Sequence, residues 1–160
     1  MRLNPSDNAS LTALARVLAD QFRTPEAIEL NWRAFEQATA LDERLALIQP
    51  LTELYLRTNH FDRLITRLQN LGRQTNQQRD MSICVANAWQ ATGDVGMARQ
   101  VLKQSLTQEQ TDVQLLAELA RLAEQEGDYS TAADYQKQLV TLAPSDDGTV
   151  RLANLLVRAD

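Results

Sequence analysis

The sequence is short of the residues that form disulfides, thiolate metal clusters and catalytic pairs. Its 160 residues include a single cysteine, Cys84, and a single histidine, His60. One cysteine excludes an intramolecular disulfide. Cys84 lies within an apolar helical pattern and His60 in a predicted turn, so we do not expect them to meet as nucleophile and base. We predict a buried structural thiol, an exposed turn histidine, no metal and no catalytic residue.

Glycine and proline are also scarce, with five and four residues respectively. The sequence lacks a glycine-rich phosphate loop, a GxGxxG, a CxxC and an HExxH motif, so no pattern indicates an enzyme or a cofactor. Alanine, leucine, glutamine, glutamate and arginine dominate, and these residues favour helices. We predict an all-α protein of about nine helices without strands, and no enzymatic activity.

No apolar run approaches the roughly 18 residues of a membrane span, and the first ten residues lack the apolar core of a signal peptide. The formal net charge is −5, and the arginines are scattered among acids. A basic footprint for nucleic acid is therefore missing. We expect neither membrane insertion nor nucleic-acid binding. The cytoplasm is the default compartment, unless the chain is an excerpt of an exported protein.

The main positive signal is a repeat with a period of 34 residues. At this shift Gly93-Asp94 coincides with Gly127-Asp128, Ala86 with Ala120, and Ala98 with Ala132. Small residues at these alanine positions would let two helices approach closely, while the glycine would form the tight turn between them.

This pattern resembles the tetratricopeptide repeat (TPR). The residues that carry the resemblance are best preserved in one unit, in which only Gln136 departs from the usual large apolar residue: Leu116, Leu119, Ala120, Ala123, Gly127, Asp128, Tyr129, Ala132, Tyr135, Leu139 and Pro144. The resemblance implies a right-handed α-solenoid of antiparallel helical hairpins.

We predict a single array over residues 1–160, with repeats at approximately 8–44, 45–78, 79–112 and 113–146. Residues 147–160 would form a capping helix or the first helix of a truncated repeat. In the second unit Asn59 stands where the other units have the turn glycine, and asparagine tolerates the left-handed backbone that this position needs. The first unit is predicted to have about three extra residues. Residues 3–7 nearly copy residues 142–146, so we expect the chain to begin on the tail of a missing repeat.

Several residues have predicted local roles. Thr24, Asp94, Asp112, Asp128 and Ser145 stand where helix N-caps are expected. Two tryptophans, Trp32 and Trp89, could anchor a ligand, but packing between helices is the favoured role of both. In the last segment Val150, Ala153, Leu156 and Val157 form one apolar stripe, and Arg151, Asn154 and Arg158 lie away from it, as in a cap with a polar outer face.

The resemblance implies a concave groove lined by the first helix of each hairpin. The residues we expect in a peptide-binding groove are polar positions that packing does not need: Glu53, Arg57, Asn87, Gln90, Arg121 and Gln125, with Arg16, Asp20, Gln49, Asp80, Gln114 and Arg151 as further candidates. Asn87 coincides with the asparagine that clamps a peptide terminus in chaperone-binding members of the family. The cationic neighbours of that clamp are missing here, so a chaperone tail is not expected.

The resulting hypothesis is a protein–protein interaction scaffold that binds a peptide or protein segment in the concave groove. One alternative is a structural spacer that self-associates through the ends of the array. Another is a regulatory or docking arm of a larger multidomain protein.

Overall fold

The computed structural model describes residues 8–108 and 111–159, and these residues form helices and short turns without any strand. The predicted all-α class with about nine helices is confirmed. The predicted repeat tail at residues 3–7 lies outside the described residues. No helix in the described ranges combines the length and the apolar character needed to cross a membrane.

The helices are α1 (Asn8–Asp20), α2 (Thr24–Gln37), α3 (Leu41–Arg57), α4 (Phe61–Thr75), α5 (Gln78–Ala91), α6 (Val95–Gln108), α7 (Val113–Gln125), α8 (Tyr129–Leu142) and α9 (Asp146–Ala159).

The chain divides into two compact units, Met1–Gly93 and Asp94–Asp160. In the first unit α1 packs against α2, α2 against α3, α3 against both α4 and α5, and α4 against α5. In the second unit α6 packs against α7, α7 against α8, and α8 against α9. Each unit is therefore built by helices that pack mainly against their neighbours in sequence. The predicted repeat limits and the single array stay predictions.

Left-handed residues follow the first helix of each predicted hairpin. They are Phe22 with φ 61°, Asn59 with φ 57°, Gly93 with φ 87° and Gly127 with φ 77°. The prediction that Asn59 takes the conformation of the turn glycine is confirmed. These residues are 37, 34 and 34 positions apart. The longer first interval agrees with the three extra residues expected in the first hairpin.

Four of the predicted N-caps are confirmed, all in the second unit. The Asp112 carboxylate accepts hydrogen bonds from the backbone N–H groups of Gln114 and Leu115, at 2.8 and 3.0 Å. Equivalent bonds run from Met97 to Asp94, from Thr131 to Asp128 and from Gly148 to Ser145. Each bond satisfies a backbone donor that the first turn of a helix leaves free.

The prediction that Thr24 caps α2 is wrong. Arg23 occupies the N-cap position without a side-chain capping bond, and Thr24 and Pro25 are already helical. The side chain of Arg23 instead forms an ion pair with Glu26 in the first turn. Proline fits this early helical position because its missing N–H would have no helical partner there.

The core of the first unit is centred on Trp32, which is fully buried. Its indole N–H donates to the Tyr55 hydroxyl at 2.9 Å, and its ring meets Phe35 edge to face at 5.2 Å between centroids. The guanidinium of Arg67 lies 4.1 Å from the centroid of the same indole. Trp32 therefore joins α2, α3 and α4.

Trp89 is half-buried on α5 and meets Phe61 of α4 edge to face, with 4.8 Å between ring centroids. The favoured packing interpretation therefore describes both tryptophans. Each joins helices of the first unit through its ring, so a separate ligand-anchoring role is not needed to explain either residue.

Arg44 is a buried cation in the first unit. Its Nε donates to the Ala38 carbonyl at 3.0 Å, and its Nη1 donates to Gln77 Oε1 at 2.7 Å. Ala38 is the C-cap of α2, so the positive charge of Arg44 lies at the negative end of that helix dipole. This placement ties α3 to the end of α2.

The second unit has an aliphatic core in which Ala123, Ala132, Ala133 and Leu155 pack together. The structure explains why Gln136 departs from the apolar pattern. Gln136 is only 4% exposed, and its Nε2 donates to the Gly148 carbonyl at 3.1 Å. The side chain therefore fastens the first turn of α9 onto α8.

The expected polar outer face of α9 is not observed. Leu155 is the buried residue of this helix, whereas Val150, Leu156 and Val157 are 60%, 52% and 77% exposed. The polar side of α9 faces α7 instead, because Arg151 reaches Glu124 at 3.0 Å. The predicted assignment of the two faces is therefore wrong.

Candidate functional site

A cleft of about 400 Å³ lies between α1 and α3, with α2 beneath it. It includes two of the six predicted groove residues, Glu53 and Arg57. The residues that line it are Thr12, Ala15, Arg16, Ala19, Asp20, Asn31, Pro50, Glu53, Leu54 and Arg57.

Small side chains on α1 leave room for this cleft. Ala15 and Ala19 are one helical turn apart and both line it, so part of the α1 wall consists of small side chains. On the facing helix, Pro50 stands inside α3 and has no backbone N–H to complete the helical hydrogen-bond ladder. Its compact ring forms part of the opposite wall.

The cleft has four exposed charged side chains, arranged in opposite order on its two walls. Arg16 precedes Asp20 by one turn on α1, whereas Glu53 precedes Arg57 by one turn on α3. Within the described part of the chain none of the four forms an ion pair with another. Of the four, Glu53 has a polar contact with another side chain in residues 8–108 and 111–159, at 3.3 Å from Gln49 Nε2. The site is thus neutral overall but has charges of both signs.

Asn31 of α2 contributes the buried polar group of the cleft. Its residue exposure is 3%, and its Nδ2 donates to the Ala27 carbonyl at 3.0 Å. Its Oδ1 has no hydrogen-bond partner among the described residues. A buried acceptor without a donor costs about 1–3 kcal/mol.

The next predicted residues, Asn87 and Gln90, lie half-buried on α5, which packs against α3. The Nδ2 of Asn87 donates to the Ile83 carbonyl at 3.0 Å, the same bond within one turn that Asn31 makes. Neither residue lines the cleft between α1 and α3. The structure therefore brings together Glu53 and Arg57 and places Asn87 and Gln90 on the adjacent helix.

Arg121 and Gln125 lie on α7 in the second unit. Two nitrogens of Arg121 donate to Glu118 Oε2, at 2.9 and 2.7 Å, so its guanidinium is held along its own helix. Gln125 is exposed at the last residue of α7. Neither residue lines the cleft between α1 and α3.

A second cleft of about 290 Å³ lies between α7 and α9 in the second unit. At its centre Glu124 pairs with Arg151 at 3.0 Å and with Arg158 at 3.3 Å. Arg158 also lies over the ring of Tyr129, 4.7 Å from its centroid. Glu124, Arg151 and Arg158 are thus paired across the cleft, in contrast to the charged groups between α1 and α3. Only Arg151 among them is a sequence-based candidate.

Asn31 and Arg44 are not among the residues predicted from the sequence. A signal for Asn31 exists, because Ala27, Asn31 and Phe35 recur every four residues along one buried face of α2. An asparagine within such a face indicates a buried amide. Arg44 has no comparable signal, since it follows two exposed acids at the start of α3 and its partners Ala38 and Gln77 lie outside that helix.

Cys84 is fully buried, and burial raises the pKa of its thiol to about 12. Nearby Arg44 lowers this pKa and Asp80 raises it, but burial dominates. The thiol is therefore neutral at ordinary pH and a weak nucleophile. No group of three or more histidine, cysteine, aspartate or glutamate side chains in the described residues could hold a metal ion.

One family model, described as Ferritin-like domain, matches residues 56–143, just over half of the chain. Ferritin-like di-metal proteins supply glutamates and two Glu-x-x-His motifs from a four-helix bundle. Here the only histidine is His60, and Arg57 stands three residues before it. The helices within the match have only 13 to 15 residues each. The residues present do not fit a di-metal centre.

Solved structures give a different and more direct comparison. A thermophilic TPR protein of Thermus thermophilus superposes with a TM-score of 0.54 and 22% identity, over 96% of this chain and 84% of that protein. Nearly identical TPR-like repeats assigned to a kinesin light chain of Podospora anserina superpose with a TM-score of 0.51 and 20% identity, over 98% and 89%. Among curated proteins no sequence matches this chain.

The family model and the solved structures indicate different families. The superposition on solved structures describes how the helices pack. The ferritin-like match concerns sequence alone, and the ligands that would give it chemical meaning are missing from the matched segment. By sequence match the chain therefore belongs to the ferritin-like family, without a di-metal ligand set, and by fold it is a helical repeat protein of the tetratricopeptide type.

Proposed function

We propose that the chain is a protein-interaction scaffold that holds an extended polypeptide segment against the polar face of its first helices. The observation that supports this function is the cleft between α1 and α3, where Arg16, Asp20, Glu53 and Arg57 meet without ion pairs among the described residues. Asn87 and Gln90 on α5 would continue the same face. Compared with the paired charges of the second cleft, the four charged side chains between α1 and α3 are available to a partner.

The chemistry of this face suits a peptide better than a folded hydrophobic surface. Leu54 is the one large aliphatic side chain among the residues that line the cleft, and Ala15, Ala19 and Pro50 add small apolar surfaces. The other lining side chains, which include the four charged ones, can donate or accept hydrogen bonds. The groove has no cluster of cations that would select an acidic tail. We therefore expect recognition of a polar, extended segment.

Photo-crosslinking tests where the partner lies. We would replace Glu53 with p-benzoylphenylalanine and irradiate the protein in extract of its source cells, with Thr66 on the exposed side of α4 as the matched position. The proposal expects a crosslinked polypeptide at position 53 and none at position 66. Equal crosslinking at both positions would contradict it.

A double variant tests two predicted residues of the first unit together. Arg57→Ala with Asn87→Ala should remove at least about 90% of partner capture, at a cost of about 1 kcal/mol in stability, because Arg57 is exposed and Asn87 loses one hydrogen bond within α5. The control is Arg63→Ala with Asn70→Ala, which removes the same residue types from the exposed side of α4. Undiminished capture by the first variant would refute the groove.

Self-association is a second candidate function, favoured by the exposed apolar stripe of α9. Val150 and Val157 are two turns apart and 60% and 77% exposed. Under this alternative, sedimentation equilibrium shows a dimer that Val150→Ser with Val157→Ser converts to a monomer. A monomeric parent protein at high concentration would eliminate it.

A further inference from the structure

The outer side of α9 has an exposed stripe with the spacing of a helix-packing surface. Leu155 is the residue of this helix that packs into the core of the second unit. On the opposite side Asp146, Val150, Ala153 and Val157 are all exposed, and they follow one another at intervals of four, three and four residues. Residues at these intervals meet a second helix in a coiled coil. The stripe therefore fits a helix as its partner.

The stripe is apolar along its length and charged at its ends. Val150 and Val157 supply the exposed apolar surface. The acids Asp146 and Asp147 form the first turn of α9, whereas Arg158 stands in the last turn with a side chain that is 56% exposed. A partner helix that covers the valines and satisfies both ends has apolar residues at the same spacing and its charges in the reverse order. A second copy of α9, turned end for end, has both features.

We propose that two copies of the chain associate through α9, with the two helices antiparallel about a twofold axis. In this arrangement Val150 faces Ala153 of the partner subunit, and Ala153 faces Val150 of the partner subunit. A larger side chain thus meets a smaller one in both layers, which lets the helices approach closely. Both copies use the same residues, as a twofold contact requires. This inference rests on the second candidate function, self-association, and names its partner and orientation.

The charges of α9 favour the antiparallel orientation over the parallel one. When the helices lie antiparallel in this register, Asp147 and Arg158 of the partner subunit differ in height by about 3 Å, which an arginine side chain spans. The twofold axis produces this pair twice. In a parallel pair Asp146 and Asp147 would lie beside the same acids of the partner subunit. Like charges repel, and two parallel helix dipoles also oppose each other.

Disulfide crosslinking tests the orientation. Asp146→Cys and Val157→Cys are prepared separately in a Cys84→Ala background, mixed at high concentration and oxidised in a glutathione buffer. The antiparallel pair places positions 146 and 157 at the same height, whereas two copies of either position lie about 16 Å apart along the axis, beyond the reach of a disulfide. We expect a mixed disulfide from the mixture and at least about tenfold less crosslinking of either protein alone. Equal crosslinking of each protein with itself overturns the inference.

The substitution Asp147→Asn distinguishes the two orientations by the sign of its effect. In the antiparallel dimer it removes two symmetric ion pairs, so sedimentation equilibrium should show a dimer that is weaker by about threefold to tenfold. In a parallel dimer the same change would relieve repulsion and strengthen association. The control Asp134→Asn removes the same charge from an exposed position of α8 and should change the dissociation constant less than about twofold. Unchanged or tighter association of Asp147→Asn overturns the inference.

These outcomes can be distinguished from failure of self-association itself. If Val150→Ser with Val157→Ser dissociates a dimer but the mixed disulfide does not form, self-association is correct and only the antiparallel orientation is wrong. If the parent protein is a monomer at high concentration, self-association and this inference are both wrong. The groove of the first unit is tested separately, by photo-crosslinking at position 53.

Discussion

The two units start their helices in different ways. In the second unit Asp94, Asp112, Asp128 and Ser145 each accept a hydrogen bond from the backbone of the helix that follows. In the first unit the N-cap residues of α2 to α5 make no side-chain capping bond. That unit instead has long-range contacts from Trp32 and Arg44. Its helices thus depend more on tertiary packing, and those of the second unit more on local signals.

The charge distribution follows the same division. Residues 1–93 have ten acidic and ten basic side chains, whereas residues 94–160 have eleven acidic and six basic ones. The whole net charge of −5 therefore belongs to the second unit. Asp94, Asp112 and Asp128 account for part of it as caps, so this acidity has a structural cause and does not by itself indicate a basic partner.

The largest expected effect concerns the thiol in the first unit. A pKa of about 12 for Cys84, against 9.0 for an unperturbed thiol, leaves about 10³-fold less thiolate near pH 8. We expect iodoacetamide to alkylate the native protein at least about 10³-fold more slowly than the urea-unfolded chain. Mass spectrometry measures both rates, and comparable rates would show that the thiol is not buried.

The same thiol gives the first unit a predictable response to alkali. Because the folded pKa of Cys84 is raised, the unfolded chain loses its thiol proton first as pH increases. Stability should fall as pH rises from about 9 to about 12, and Cys84→Ala should remove this part of the decline. Urea unfolding of both proteins at several pH values measures the difference, and identical pH profiles would contradict the prediction.

Truncation of Trp32 should cause the largest loss of stability. Trp32→Ala removes a fully buried ring together with its hydrogen bond to Tyr55, at a cost of about 3–5 kcal/mol. Trp89→Ala is the matched control and should cost less, because Trp89 is only half-buried. Urea unfolding followed by circular dichroism gives both values. Equal losses would show that Trp32 does not hold the first unit together.

Substitution of a cap should affect the second unit more than the first. Asp112→Ala leaves two backbone donors of α7 without their partner and should cost about 1 kcal/mol. His60→Ala at the N-cap of α4 removes no capping bond and should change stability by less than about 0.5 kcal/mol. A similar loss for both variants would mean that the difference in capping has no energetic effect.

The parts of the fold that could be predicted from sequence are those specified by local chemistry. Asp112 and Gly127 signal a helix start and a tight turn through their own side-chain and backbone properties, so both roles were predicted correctly. The prediction that Thr24 is the N-cap failed because a proline near a helix start does not fix which of the two preceding residues, Arg23 or Thr24, is the N-cap. The faces of α9 were misassigned because its apolar residues outnumber those that the single neighbouring hairpin can bury.

The candidate site was less predictable, because it depends on contacts between distant residues. Glu53 and Arg57 could be placed on one helix face by spacing alone. Their neighbours Arg16 and Asp20 share the cleft only because α1 and α3 both pack against α2. Asn31 comes from the second helix of its hairpin, on a face where spacing predicts apolar packing. The position of a residue in the repeat therefore predicts that Glu53 and Arg57 are exposed. It does not predict that the buried amide of Asn31 lies beneath them.

The smallest effect we predict concerns the turn of the first hairpin. Phe22 has a φ of 61° and is 92% exposed, whereas glycine occupies the corresponding positions 93 and 127. A bulky residue is strained in this conformation by at least about 1 kcal/mol. Phe22→Gly releases that strain but increases the entropy of the unfolded chain, which offsets about 0.5–1 kcal/mol. We expect a net stabilisation of about 0.5 kcal/mol in urea unfolding.

Gln21→Gly, at an exposed neighbour without a left-handed backbone, should destabilise the protein. If both substitutions destabilise it equally, the turn of the first hairpin is not strained, although a bulky residue stands there in place of the glycine of positions 93 and 127.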